Sequence, residues 1–470
     1  MAGSSVKKPA DNKLSGRIWF NLCLFGFTGQ IAWNLENMYY NTFMYNTVYE
    51  GGTVTGTLSS MSAIKLMVAL SAVAAVVTTF IMGNLSDKMN KRKVFISVGY
   101  ILWGIVTAAF GFITKDNIAG IFGLSDTAKI VTATAVTIIV MDCIMTFMGS
   151  TSNDSAFNAW VTDVTTVKNR ATAESVLAIL PVAALLIVVV LGGMIETLGG
   201  GDIAKGYRNF FFMLGGFVIV CGIIGLFTLK DSLNGEKKAN ANYWKDLFYG
   251  FKPSVIKENS KLYIALAAVG IFNIAVQIFF PYLLIYLGNL GLNVEDLLGI
   301  VLSNKVILAI VPVALIVLVV AIIALGKIVD KIGKNVLVFV ALVLFVIGGV
   351  AASFMNTLGS FVVAALPLLI GYGALGIMLN ATVRDYTPED KVGLFQGVRM
   401  IFMVLLPMVI GPAIGDFVCK TAASGTYVGD DGLVNYSPCA EMFLAAGILG
   451  AFVIIPLLAL KKKGIDKKEN

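Results

Sequence analysis

Twelve apolar stretches, each long enough to cross a lipid bilayer as a helix, leave this chain of 470 residues few alternatives. A crossing helix needs about 20 apolar residues. The stretches run approximately over residues 18–46, 57–82, 94–114, 130–157, 172–196, 209–229, 262–288, 297–325, 336–355, 358–380, 393–418 and 437–460. Continuous runs such as Leu185–Leu191 and Val311–Leu325 exclude a membrane barrel, whose segments are about ten residues long and alternate in polarity. Charged residues make up only 13% of the chain and the mean hydropathy is +0.85. Soluble domains carry roughly 25% charged residues. The expected fold class is therefore an all-α integral membrane protein with twelve transmembrane helices.

The basic residues set the orientation, because short cytoplasmic loops accumulate Lys and Arg. With the amino terminus inside, the cytoplasmic segments hold 27 of the 35 Lys and Arg. The other side holds five, Lys115, Lys129, Lys205, Arg208 and Lys420, and only Lys65, Lys305 and Arg399 fall within stretches. Both termini are expected in the cytoplasm, and the protein in the plasma membrane. The net charge of +7 is thus a topology signal and predicts no nucleic-acid partner. The tail over 461–470, with Lys461, Lys462, Lys463, Lys467 and Lys468, is placed against anionic lipid headgroups. The first sixteen residues are polar, and no cleavable signal is expected.

An internal repeat divides the chain. GNLSDKMNKRK, starting at Gly83, and GKIVDKIGK, starting at Gly326, are copies of one cassette offset by 243 residues, each read as a tight charged loop between helices. At the same offset Gln30 and Asn34 align with Asn273 and Gln277, so each half sets two amides four residues apart on one helical face. At an offset of 222, Asp163 matches Asp385, both read as lying in loops. The polar segment 230–261 separates a first bundle over 17–229 from a second over 262–460. Two six-helix halves related by an axis along the membrane normal, with a solute between them, is the major facilitator arrangement.

Within that superfamily the chain resembles the glycoside–pentoside–hexuronide cation symporters, the group of melibiose permease. The resemblance rests on Asn153, Asp154, Phe157, Ala159 and Val161, then Asp163, Thr166, Arg170, Glu174 and Ser175, and on Ile81-Met82-Gly83. It implies a sugar-like solute carried with a cation. The departures qualify this. The paired aspartates of the second helix are replaced by Ala75 and Thr79, the first-helix aspartate falls near Ile31, and the tryptophan after Asp154 is Asn158. Sodium needs several oxygens, usually carboxylates among them, so the resemblance predicts proton symport or uncoupled movement rather than sodium symport.

Ionisable residues inside spans are functional candidates by default. Glu36, Asp142 and Asp154 are candidates for carrying a proton, with a Glu36–Lys65 salt bridge as the structural alternative for Glu36. Lys65 and Lys305 lie near enough to the outer interface to snorkel. Arg399 lies about 9 Å into its helix, counted at about 1.5 Å per residue, and needs a partner across the bundle or in the solute. The amides Gln30, Asn34, Asn37, Asn273 and Gln277, with Asp154 and Asn158, form the expected solute-binding set, because an amide both donates to and accepts from hydroxyl groups. Interhelical bonding is the alternative use. Asp87, Lys91, Arg92, Asp163, Asp330, Lys334 and Asp385 are the expected cytoplasmic gate.

With no histidine, no nucleotide loop and five scattered cysteines, no enzyme site, metal site or cofactor is expected. Cys419 and Cys439 flank the last external loop, either as free thiols or as a disulfide. The chain is thus expected to be a monomeric transporter of a small polyhydroxylated solute. The rival readings are a transporter of lysolipids or drugs and a non-transporting membrane sensor.

Overall fold

The computed structural model describes residues 14–89, 91–165, 167–231, 249–291, 334–355, 357–388, 392–428 and 434–463. Every predicted stretch except 297–325 is helical there; that one, with Lys305 and Asp330, lies outside the described residues. The helices are α1 (Gly16–Asn34), α2 (Ser60–Met89), α3 (Arg92–Ala109), α4 (Thr127–Gly149), α5 (Val167–Gly192), α6 (Ile203–Thr228) and α7 (Ser260–Gln277). They continue with α8 (Lys334–Ala352), α9 (Leu358–Tyr386), α10 (Leu406–Thr421) and α11 (Glu441–Ala451), so α8 answers to the ninth stretch. Among the described residues, eight helical spans are long and apolar enough to cross a membrane. Their outer faces carry exposed Val77, Val140, Val220 and Leu369, as a lipid-facing surface requires, because lipid gives apolar side chains no reason to turn inward. The chain is a membrane-embedded helical protein, as the sequence predicts.

Where two helices approach closely, glycine supplies the room. Gly215 of α6 and Gly104 of α3 face each other, and a Cβ on Gly104 would sit 2.5 Å from the Gly215 carbonyl oxygen. Small residues let transmembrane backbones meet at this range.

Two sequence expectations change. The first cassette is no loop: α2 runs to Met89, so Gly83, Asp87 and Lys88 are helical, and α3 starts at Arg92. That segment contains no proline, and one glycine costs a helix only about 1 kcal/mol. Asp163 lies in a short helix, Asn158–Val164, and Asp385 in the last turn of α9. The connection between the third and fourth stretches contains the helix Lys115–Phe122, capped by the Thr114 hydroxyl. Between α10 and α11 an antiparallel hairpin pairs Thr426–Val428 with Val434–Tyr436. Its side of the protein is called the hairpin side below, and the side of residue 16 the terminal side.

Candidate functional site

The expected amides sit half-buried on α1, on its continuation and on α7. Asn34 Nδ2 donates to the Gln30 carbonyl at 2.8 Å and Asn37 Nδ2 to the Trp33 carbonyl at 2.7 Å. Asn273 Nδ2 reaches the Met403 carbonyl at 3.2 Å, tying α7 to the segment before α10. These donors thus serve the protein's own backbone, the interhelical use for Asn273 and a same-helix bond for Asn34 and Asn37. Asp154 accepts from the Ser150 hydroxyl at 3.0 Å, whereas Asn158 is exposed and bonds the Asp154 carbonyl.

Helical regularity fails next to these residues. Immediately after Asn34, residues Leu35–Tyr40 form a π-helical segment. Immediately after Gln277, the repeat-equivalent position, the α-helix gives way at Ile278 and Phe279 to a 3₁₀ turn over Phe280–Tyr282 that contains Pro281. A further π segment, Ser150–Phe157, contains Asn153 and Asp154, and another, Ile401–Leu405, follows Arg399. Such segments loosen the backbone hydrogen-bond ladder and recur at functional sites.

Glu36 and Asp142 are buried together. Glu36 is 6% exposed and accepts from the Thr146 hydroxyl at 2.8 Å, while Asp142 is 2% exposed and has Ser71 of α2 beside it. The two carboxyl groups lie within Coulombic reach of each other, and Asp154 within reach of Glu36. Glu36 Oε2, Asp142 Oδ1 and the Tyr40 hydroxyl, all buried, make no hydrogen bond to the described residues. Two carboxyl groups this close repel each other when both are ionised in a low-dielectric pocket, and a proton on either relieves the repulsion.

The Glu36–Lys65 bridge does not form. Lys65 of α2 instead binds Asp416 of α10 at 2.5 Å, joining the first half of the chain to the second. Nor does Lys65 simply snorkel, because its ammonium is held by this carboxylate. Asp416 also accepts from the Ser62 hydroxyl at 3.2 Å and from the Tyr436 hydroxyl at 2.9 Å. Tyr436 sits 2.6 Å from the Ser59 hydroxyl, and Tyr427 donates to the Gly52 carbonyl at 2.6 Å. All of these contacts lie on the hairpin side, and together they join the two halves of the chain there. The sequence carries a signal for this pair: Lys65 and Asp416 are opposite charges within apolar stretches, and each lies near the hairpin-side end of its helix.

On the terminal side, Arg92 Nε binds Asp163 at 3.2 Å and Arg92 Nη1 binds the Ser86 hydroxyl at 2.5 Å. Lys91 directly precedes α3, while Asp87 and Lys334 lie at the terminal-side ends of α2 and α8. The Arg92–Asp163 pair connects elements of the first half only. Arg399 is half-buried at the end of the helix Val392–Met400. A cavity of about 560 Å³ between α7 and the helix Ile454–Lys463, and one of about 340 Å³ between α2 and α4, are apolar and contain none of the expected site residues.

The family model of the Major Facilitator Superfamily matches residues 37–412 and 310–469. Multidrug resistance protein 2 of Bacillus subtilis (strain 168) is 20% identical over 364 residues, which span 76% of this chain and 80% of that protein. The crystal structure of the nucleoside transporter NupG superposes with a TM-score of 0.58 at 12% identity, covering 96% of this chain and 99% of that one. That of a D-xylose-proton symporter superposes with a TM-score of 0.64 at 12% identity, covering 95% and 97%. At such identities the structural likeness concerns the fold. The family match spans most of the chain, and the chain belongs to the Major Facilitator Superfamily.

Proposed function

We propose that this transporter moves a small polyhydroxylated solute, a glycoside, sugar or sugar acid, across the plasma membrane by alternating access. Its termini lie in the cytoplasm, so the hairpin side faces outward and the structure is closed to the outside. The observation that carries the solute class is the pair of equivalent amides, Gln30 with Asn34 and Asn273 with Gln277, each set directly before its helix loses α geometry. Amides suit hydroxyl groups, and a break in the ladder beside them frees backbone carbonyls for the same purpose. Neighbours described as nucleoside and xylose transporters support a hydroxylated solute.

Coupling runs through a proton held in the Glu36 and Asp142 pocket, with Asp154 nearby. Ala75 and Thr79 leave the second helix without the carboxylates of a symporter-type sodium site, which supports proton coupling. Arg399 provides the positive charge that would favour an acidic sugar. Asp87, Lys91, Arg92, Asp163, Asp330, Lys334 and Asp385 form the gate of the terminal side. The sequence likeness to a multidrug resistance protein favours a second reading, an exporter of apolar drugs.

Binding of purified protein to a panel of sugars, uronic acids, nucleosides, lysolipids and cationic drugs, read as thermal stabilisation, separates the two readings. The proposal expects stabilisation by a hydroxylated compound, with uptake that is unchanged when choline replaces sodium. Stabilisation by cationic drugs or lysolipids alone overturns the solute class. Strong sodium dependence overturns the coupling.

A further inference from the structure

Cys419 stands in the last turn of α10 and Cys439 two residues before α11, at the two feet of the hairpin. Their sulfur atoms are 3.4 Å apart, and both side chains are buried, at 0% and 4% exposure. The feet are held together independently of the sulfurs. The Ser437 amide donates to the Gly425 carbonyl at 2.8 Å, and a Cβ on Gly425 would press against the Cys419 carbonyl at 2.5 Å and the Cys439 sulfur at 3.3 Å. Asp416 lies one helical turn before Cys419, and Tyr436 three residues before Cys439. The thiols therefore lie beside the two residues that, bonded to each other, grip Lys65, Ser59 and Ser62 of the first half.

We propose that Cys419 and Cys439 form a disulfide in the mature protein, and that this bond holds Asp416 and Tyr436 in position to close the hairpin side. The inference rests on the orientation proposed above, since disulfides persist on the external face and not in the cytoplasm. A disulfide needs sulfurs about 2.0 Å apart, closer than the present contact of 3.4 Å. In the reaction one cysteine thiolate attacks a disulfide oxidant, such as oxidised glutathione or the disulfide of an external oxidoreductase, and expels one of its sulfurs as a thiolate. The second cysteine thiolate then attacks the mixed disulfide and expels the other. The two cysteines lose two protons and two electrons, and the oxidant is reduced to two thiols. Cys23, Cys143 and Cys221 lie in α1, α4 and α6 of the first half and serve as internal controls.

Cells are lysed in N-ethylmaleimide, the protein is denatured, and the alkyl groups on the intact chain are counted by mass spectrometry with and without prior reduction. The expected result is three modified cysteines without reduction and five after it, with a linked peptide containing Cys419 and Cys439. Five modified cysteines without reduction, or a link through any other cysteine, overturns the proposal. In parallel, reduced purified protein is treated with oxidised glutathione, a test that does not depend on which side faces outward. A bond that forms there but is absent from cell-derived protein overturns the mature disulfide by way of the orientation. Failure to form even there overturns it on geometry and leaves the orientation intact. Distances between spin labels on Thr53 and Val428 should broaden when the wild type is reduced and should not respond in C419S/C439S. An identical distribution in reduced and oxidised wild type overturns the role of the bond in closure.

Discussion

Replacing Asp416 by Asn should open the hairpin side, by an amount that the geometry bounds. The carboxylate is 8% exposed and accepts bonds from Lys65, Ser62 and Tyr436, whereas the Lys65 side chain is 32% exposed. Hydrogen bonds to a charged group contribute about 1.5–3 kcal/mol each, and breaking a fully buried pair costs about 3–5 kcal/mol. Lys65 can turn to water once released, which screens the loss. Asn still accepts from one hydroxyl. A net loss of about 2 kcal/mol follows, and because about 1.4 kcal/mol is tenfold, the ratio of closed to open protein should fall about 30-fold. A contact present in only one of two conformations shifts the equilibrium by its full value. Pulsed electron resonance between spin labels on Thr53 and Val428, exposed positions in opposite halves of this side, should show a longer-distance population in D416N. K65M should give a similar population, and the double variant less than the sum, with a coupling energy of about 1–2 kcal/mol. Unchanged distances in both single variants, or strict additivity, would refute the view that this pair holds the side shut.

Glu36→Gln or Asp142→Asn should abolish accumulation of solute against its gradient while solute exchange across the membrane continues, measured by uptake and counterflow in proteoliposomes; loss of both activities would instead indicate a structural role. Gly52, at φ 92°, has its carbonyl under the Tyr427 hydroxyl, and an added Cβ would run into that hydroxyl. Gly52→Ala therefore combines backbone strain of about 1–2 kcal/mol with a displaced tyrosine and should favour opening by about tenfold on the same spin-label readout. Arg399→Gln should weaken binding of acidic sugars far more than of their neutral analogues, checked by calorimetry; equal weakening would make the arginine structural.

The fold was legible because its signal is redundant. Every apolar stretch repeats the same message, and Lys and Arg punctuate them. A fixed offset also aligns the amides of the two halves, and each pair stands directly before a break in α geometry. What the sequence hid depends on geometry that spacing alone does not carry. The π segment at Leu35–Tyr40 contains no residue that forbids an α-helix, so nothing local announces it. Lys65 and Asp416 lie 351 residues apart, and the partner chosen from sequence, Glu36, was a nearer acid. Helix packing instead turns Glu36 toward Asp142 and Thr146. The first cassette departs from the expected loop because a charged segment without proline extends a helix readily past the membrane surface.

The bonds that bridge the halves on the hairpin side join polar groups to polar groups, and water can take over each of them when they part. Exposing polar surface lowers the heat capacity and exposing apolar surface raises it. Opening of this kind should therefore carry a small heat-capacity change, and the balance between conformations should vary almost linearly with inverse temperature. Ionic strength acts on it as well. At about 0.15 M salt the screening length is about 8 Å, and the partly exposed Lys65 lies within reach of that screening. The electrolyte on the hairpin side thus tunes how long the transporter stays shut, without any ion having to occupy a site.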